Sequence, residues 1–295
     1  MEDKYVSIII PAYHDWYRLS LCLDALAKQT YPNKMFEVII INNDPDDKVP
    51  PGFVIPENCK IIVEEKSGSY AARNTGLKIA KGEIIGFTDS DCIPDYNWIK
   101  NAVNYLINNK ACSRIGGNIL VFYKSSKPTI VEQFNNVYSF PQKWHVSKHG
   151  TSVTANLFTY KYLFDKVGYF DETLMSIGDS RWAKLAGQAG YKLDYAEDVI
   201  VRHPARNFSD LAKKERRIGG AEGITWRANP TILKSLYLFF RSFRLKKREL
   251  RFLAFQGENL NIATKFTLFT IKYYLDGVRA YERLKVQLGK KPNRE

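Results

Sequence analysis

Short apolar runs of β character alternate with helical patterns over the first hundred residues, and this rhythm restricts the possible folds more than any other feature. The runs are Val6–Ile10, Val38–Ile41, Ile61–Val63 and Ile84–Thr88, and the spacing between them predicts helices over 19–27, 70–79 and 96–107. Strands alternating with helices of this length imply βαβ units, and so an α/β, Rossmann-like fold with a mostly parallel central sheet flanked by helices. Such sheets bind ligands at the carboxyl ends of their strands, near the point where strand order reverses. Three segments occupy that place: Pro11-Ala12-Tyr13, Asn42 to Asp47, and Asp89-Ser90-Asp91-Cys92. Each consists of turn formers, carboxylates or amides and is also compatible with plain turn chemistry.

Asp89-Ser90-Asp91 is the most informative of the three. Two carboxylates two residues apart at an extended strand end can face one hard cation and leave positions open for phosphate oxygens and water. Upstream, Gly68 and Ser69 can open a helix whose free N–H groups attract an anion, with Arg73 one turn inside. A surface helix with a capping serine and a solvated arginine is the plainer reading of that segment.

With 295 residues and 45% hydrophobic content, the chain can fill one large or two small cores, which excludes disordered and collagen-like classes. Cys22, Cys59, Cys92 and Cys112 lack CxxC spacing, so neither a zinc site nor a disulfide framework is expected and a reducing compartment fits. Glu2-Asp3-Lys4 leads straight into the first strand without a signal-peptide pattern. No run reaches the ~18 apolar residues of a membrane span. The expected location is cytoplasmic, with the protein peripheral at the inner face of the cell membrane.

The order of these motifs resembles that of the family 2 glycosyltransferases, whose nucleotide-sugar-binding domain has the GT-A fold. The matching segments are Ser7 to Tyr13, Gln29 to Pro32, Glu37 to Asp47, Gly68 to Gly76 and Ala80 to Glu83 running into Phe87 to Pro94. Val167 to Glu172, Gly178-Asp179, Ala189 to Tyr191 and Arg202 to Arg206 follow in the same order. The resemblance covers about residues 1–206 and implies a catalytic domain over 1–210, followed by a basic helical region over 211–295. It implies that Pro11, Ala12 and Tyr13 line the nucleotide base and ribose, that Arg73 and Asp89 face the nucleotide, and that Asp91 holds Mn²⁺ or Mg²⁺. Asp179 takes the position of the general base of an inverting transfer.

Two positions depart from the family pattern. Asn42 stands where the family usually has the Asp that reads uracil; an amide both donates and accepts, so it discriminates less, and Asp44 can take over. Uridine is the first expectation for the donor base, with thymidine and guanosine open. Gly178 replaces the first of two adjacent acids, leaving Asp179 as the single carboxylate there, with an N-cap of a helix over 180–189 as its alternative role. His203 is a candidate second metal or diphosphate contact, and Arg206 a phosphate clamp, set against an ordinary loop histidine and surface arginine. Asn156, with Thr154 and Ala155, and Trp182, Asp171 and Glu172 are candidates near the acceptor cleft.

Charge is distributed unevenly: residues 201–295 hold 22 basic and 8 acidic side chains, whereas residues 1–200 hold 22 and 23. The tail interleaves Lys213, Lys214, Arg216, Arg217, Trp226, Arg227, Arg244, Lys246, Lys247, Arg248 and Arg251 with aromatics, and Lys265, Lys272 and Arg279 share one helical stripe. An anionic membrane surface is the preferred partner, serving a saccharide acceptor on a polyprenyl diphosphate or a growing surface polysaccharide. A solvated face packed on the catalytic domain, an oligomer contact, and nucleic acid are the alternatives, the last without any fold signature behind it. The rival function is a sugar-nucleotide or saccharide-binding scaffold without turnover. Nucleotidyl transfer is disfavoured by the lack of a Gly-rich, Arg-containing loop after Ile10.

Overall fold

The computed structural model describes residues 4–123, 125–225, 231–244 and 247–292; Trp226, Arg227 and Lys246 of the basic tail, and the side chain of Arg248, lie outside the described residues. Two compact units are present. The first comprises Met1–Phe122, Pro141–Leu174 and Gly178–Pro204, the second Tyr123–Phe140, Met175–Ile177 and Ala205–Glu295.

In chain order the elements are β1 (Val6–Ala12), α1 (Trp16–Ala27), β2 (Phe36–Asn42), β3 (Cys59–Val63), α2 (Ser69–Ile79), β4 (Ile84–Thr88), β5 (Ile93–Pro94), α3 (Trp98–Asn108) and β6 (Cys112–Phe122). Then come α4 (Ile130–Tyr138), α5 (Gln142–His149), β7 (Asn156–Tyr160), α6 (Tyr162–Val167), α7 (Gly178–Gln188) and β8 (Lys192–Pro204). The chain continues with α8 (Phe208–Thr225), α9 (Ile232–Ser242), α10 (Lys247–Gln256) and α11 (Ile262–Gln287).

The eight strands form one sheet in the order β3-β2-β1-β4-β7-β6-β8-β5. Ile8, Ile9 and Ile10 of β1 and Val38 to Ile41 of β2 have no exposed surface, as continuous apolar runs require of parallel strands covered on both faces. β3, β2, β1 and β4 run parallel, as do β6 and β8, while β7 is antiparallel to both β4 and β6. Register then decides what meets at the sheet's edge. Ala12 pairs with Asn42 and Ile9 with Phe87, so the chain leaves β2, β1 and β4 side by side. Because Thr88 pairs with Asn156 in antiparallel fashion, Thr154 and Ala155 enter β7 where β4 ends. The short β5 pairs Ile93 with Arg202, which sets His203 opposite Asp91 and Cys92.

In the second unit α11 is the spine, packed by α4, α8, α9 and α10, with Leu268, Leu275, Ala280 and Val286 buried. Tyr138 of α4 stacks on Phe134 and meets Phe252 of α10, which explains why 123–140 groups with the helices although it precedes residue 210. The basic stripe on α11 divides. Arg279 and Arg283 are drawn to the buried Glu222 of α8, and Lys272 pairs with Asp276. A carboxylate buried at a helix contact needs such cations, so Arg279 and Arg283 tie α11 to α8, whereas the Lys272–Asp276 pair lies within α11.

Candidate active site

Three clusters in the first unit converge on the carboxyl edge of the parallel strands. The first surrounds the end of β1. Pro11 and Ala12 close the strand, and the exposed Tyr13 ring lies edge-on to His14 at 4.3 Å. His14 adopts a left-handed backbone (φ 50°), its Nε2 lies 2.8 Å from the Asp44 carboxylate, and its backbone N–H donates to Asp47. Asn42 is buried, and its amide serves the loop itself, donating to the Asp47 carbonyl at 2.7 Å and accepting from the Asp44 N–H at 3.2 Å. The outward polar pair of this turn is therefore Asp44 with His14. The N–H of Asp46, and His14, hold the Asp44 carboxyl below the usual carboxylate range.

The second cluster is the strand-end carboxylate pair. Arg73, nearly fully buried in α2, donates to Asp89 at 2.5 Å, and its guanidinium lies 5.6 Å from the centre of the Tyr70 ring. The solvated-arginine reading is thereby overturned, since burial and an acidic partner fix this side chain. Asp91 instead faces His203: carboxylate and Nε2 are 3.3 Å apart, with the Cys92 sulfur in the same group. His203 is fully buried and its Nδ1 lies 2.7 Å from the Pro204 carbonyl. A carbonyl only accepts, so Nδ1 carries its proton there and Nε2 is the ring nitrogen turned toward Asp91. With Nε2 deprotonated, the imidazole and the Asp91 carboxylate form a donor set that suits a divalent cation. Burial, and the charges of Asp91 and Asp89, push the Cys92 thiol well above its usual range. Arg18, held by Asp15 at 2.7 Å, reaches within 3.8 Å of Asp91.

The third cluster is built on Asp179, in the first turn of α7. Its Oδ1 accepts from the Tyr70 hydroxyl at 3.1 Å and the Ser180 N–H at 2.7 Å, while the Thr154 N–H lies 3.4 Å from Oδ2. The helix begins at Gly178, so Asp179 lies inside it and not at its cap. Desolvation pushes the carboxyl above its ordinary range despite these hydrogen bonds. Gly178 has a steric reason: a Cβ there would stand 2.7 Å from the Tyr70 ring, so the tyrosine that orients Asp179 excludes a neighbouring acid.

The other candidates are not brought into these clusters. Asn156 is fully buried, accepting from the Trp98 indole and donating to the carbonyls of Asn118 and Val199. Trp182 stacks on Phe164 in the core and donates to the Gly168 carbonyl. Asp171 pairs with Arg181, and Glu172 with Lys66 and Asn74. Arg206 belongs to the second unit, where it lies over the Phe140 ring. Tyr70 and Cys92 lay within the motif segments without an assigned role, and His14 and Arg18 were not apparent from the sequence. The glycine at 178 was the single hint of Tyr70.

Comparison with known proteins identifies the family and the fold. The family model described as Glycosyl transferase family 2 matches residues 7–161. The glycosyltransferase AglE of Haloferax volcanii is 35% identical over 238 residues, 79% of this chain and 78% of its own. The UDP-Glc:alpha-D-GlcNAc-diphosphoundecaprenol beta-1,3-glucosyltransferase WfgD of Escherichia coli is 35% identical over 113 residues, 37% of this chain and 42% of its own. Among solved structures, the mannosyltransferase PcManGT from Pyrobaculum calidifontis, in complex with GDP-Man and Mn²⁺, superposes with a TM-score of 0.61 at 18% identity over 98% of this chain and 87% of its own, a likeness of fold. The sheet described above is thus the GT-A fold, and the chain is a glycosyltransferase that belongs to glycosyl transferase family 2.

Proposed function

We propose that the protein is an inverting, metal-dependent transferase that moves a sugar from a nucleotide diphosphate donor, a UDP-sugar first, to a hydroxyl of a lipid-linked or surface-polysaccharide saccharide. The observation that carries this reading is the coexistence at one sheet edge of the Asp91–His203 donor set and the isolated carboxylate of Asp179. Pro11, Ala12 and Tyr13 form the wall for base and ribose, the Asp44–His14 pair offers its polar edge, and Arg73 braces Asp89 beside the diphosphate. Asp91 and His203 would hold Mn²⁺ or Mg²⁺, which when bound neutralises charge on the leaving diphosphate. Asp179, desolvated and unpaired with any cation in direct contact, takes the proton from the acceptor hydroxyl as it attacks the anomeric carbon. WfgD acts, by its name, on a diphosphoundecaprenol-linked sugar, which supports the lipid-linked acceptor.

A membrane-facing role for the second unit fits its surface. Leu233, Phe240, Ile262 and Phe266 are largely exposed on α9 and α11, beside the exposed cations Lys234, Arg241 and Lys247. No helix among the described residues is long and apolar enough to cross a membrane.

Thermal shift with UDP, GDP and dTDP, each with and without Mn²⁺ or Mg²⁺, tests the donor reading. One nucleotide should raise Tm in a metal-dependent way by mass action. No shift with any of them would leave the fold without the chemistry. Tyr70→Phe provides a second test. Loss of a hydrogen bond to a charged group should lower kcat by about tenfold with donor KM unchanged. Because the Tyr70 hydroxyl favours the charged carboxylate, its loss should also move the acid limb of the rate profile to higher pH.

A further inference from the structure

The second unit contains a cavity that the transfer chemistry does not use. It measures about 590 Å³ and lies among α8, α9 and α11, walled by Phe239, Phe243, Tyr273, Tyr274, Val278 and Tyr281. That volume is within the ~300–1,000 Å³ range of small-molecule sites. The lining is continuous in aromatic and aliphatic surface: Phe239 meets Phe243 edge-on at 5.1 Å, and Tyr273 closes on Phe243 at 6.0 Å. Part of the space exists because position 277 is glycine. A Cβ there would stand 3.2 Å from the Phe243 ring, and glycine inside a 26-residue helix is otherwise unfavourable.

The polar groups on the lining are asymmetric. Glu282 is neutralised by Lys285 at 2.9 Å, whereas Arg216 is exposed and makes no ion pair among the described residues. An apolar chamber with one uncommitted guanidinium matches a hydrocarbon chain ending in phosphate, because arginine binds phosphate oxygens in a bidentate fork. We infer that this cavity binds the isoprenoid chain of the acceptor lipid, with Arg216 on its phosphate. The inference rests on the lipid-linked acceptor of the proposed function and names the place that recognises the lipid. Flat aromatic walls suit the branched, unsaturated isoprenoid chain, and the exposed α9 face beside them suits a ligand drawn from a bilayer.

Calorimetric titration of the full chain with farnesyl phosphate in detergent, alongside farnesol, inorganic phosphate and a dodecyl phosphate of similar length, tests the inference. Farnesyl phosphate should bind, phosphate alone should not, and farnesol should bind about tenfold more weakly, the value of a charge-assisted contact. Arg216→Ala should reduce farnesyl phosphate to the affinity of farnesol without changing farnesol binding. Gly277→Leu, and separately Thr270→Leu, should fill the chamber and weaken both ligands, each methylene denied burial being worth about fourfold. An unchanged far-UV circular dichroism spectrum and an unchanged cooperative melt in each variant show that it is folded. Equal binding of dodecyl phosphate would overturn the isoprenoid assignment, and unchanged binding in both filled variants would overturn the cavity. If no prenyl ligand binds while the metal-dependent nucleotide shift persists, the cavity inference fails and the transferase reading stands. If the nucleotide shift is absent as well, the transferase reading fails.

Discussion

Asp91→Ala should abolish the metal dependence of nucleotide binding and lower transfer by about a thousandfold or more, the rate equivalent of several kcal/mol of lost charge stabilisation. The size of the effect follows from the arrangement at the end of β4. Asp89 is committed to the buried Arg73, so Asp91 is the carboxylate that faces the His203 nitrogen. His203 is oriented by Pro204 and cannot compensate alone, since a single imidazole holds a hard divalent cation more weakly than it does together with a carboxylate. Parallel titrations of Mn²⁺ against nucleotide affinity and turnover check this result. An Asp91→Ala enzyme with near-normal, metal-dependent transfer would refute the assignment.

Asp179→Asn should remove turnover by about 10²–10⁴-fold, the usual contribution of a positioned general base, while nucleotide affinity changes by less than about twofold. The substitution is nearly isosteric. An Asn Oδ1 in the same place keeps the hydrogen bonds from Tyr70 and Ser180, which both end on Oδ1, and only the long approach of Thr154 to Oδ2 is disturbed. Stability should move the other way. A carboxyl whose pKa is raised in the folded state binds its proton more tightly there, so its stabilising effect is present in acid and is lost as pH rises through the folded pKa. At neutral pH the wild type carries a desolvated charge that Asn lacks. The variant should therefore melt at a higher temperature than wild type at neutral pH, and this difference should shrink in acid. Melting curves across pH, beside initial rates, check both parts.

Most of the sheet was legible because buried parallel strands leave uninterrupted apolar runs: β1, β2 and β4 lie within two residues of the runs read from the sequence. β6 and β7 were harder to read. β6 mixes Arg114, Gly116, Gly117 and Asn118 into its run, and β7 is set by antiparallel pairing with β4, a long-range contact that local pattern does not encode. Each chemical motif could be found at its strand end, and His203 was already a candidate metal contact, but the strand pairings that join these residues could not be read from local pattern. Asp91 and His203 are 112 positions apart and meet because β5 pairs with β8; Tyr70 reaches Asp179 across 109 positions. The loop after β2 shows the same limit from the other side, since Asn42 reads as an exposed base contact until its amide is seen to close its own turn. In the tail, composition showed the basic character, but not that Arg279 and Arg283 are drawn inward by Glu222.

The most direct test of the account is acceptor-dependent release of nucleoside diphosphate by wild type and Asp179→Asn, with UDP-sugars as donors, a panel of polyprenyl-diphosphate-linked saccharides as acceptors and Mn²⁺ present or removed. The account predicts release by wild type that requires both acceptor and metal, and its near-complete loss in Asp179→Asn with nucleotide binding intact. Nucleotide binding without acceptor-dependent release, or equal release by both proteins, would contradict it.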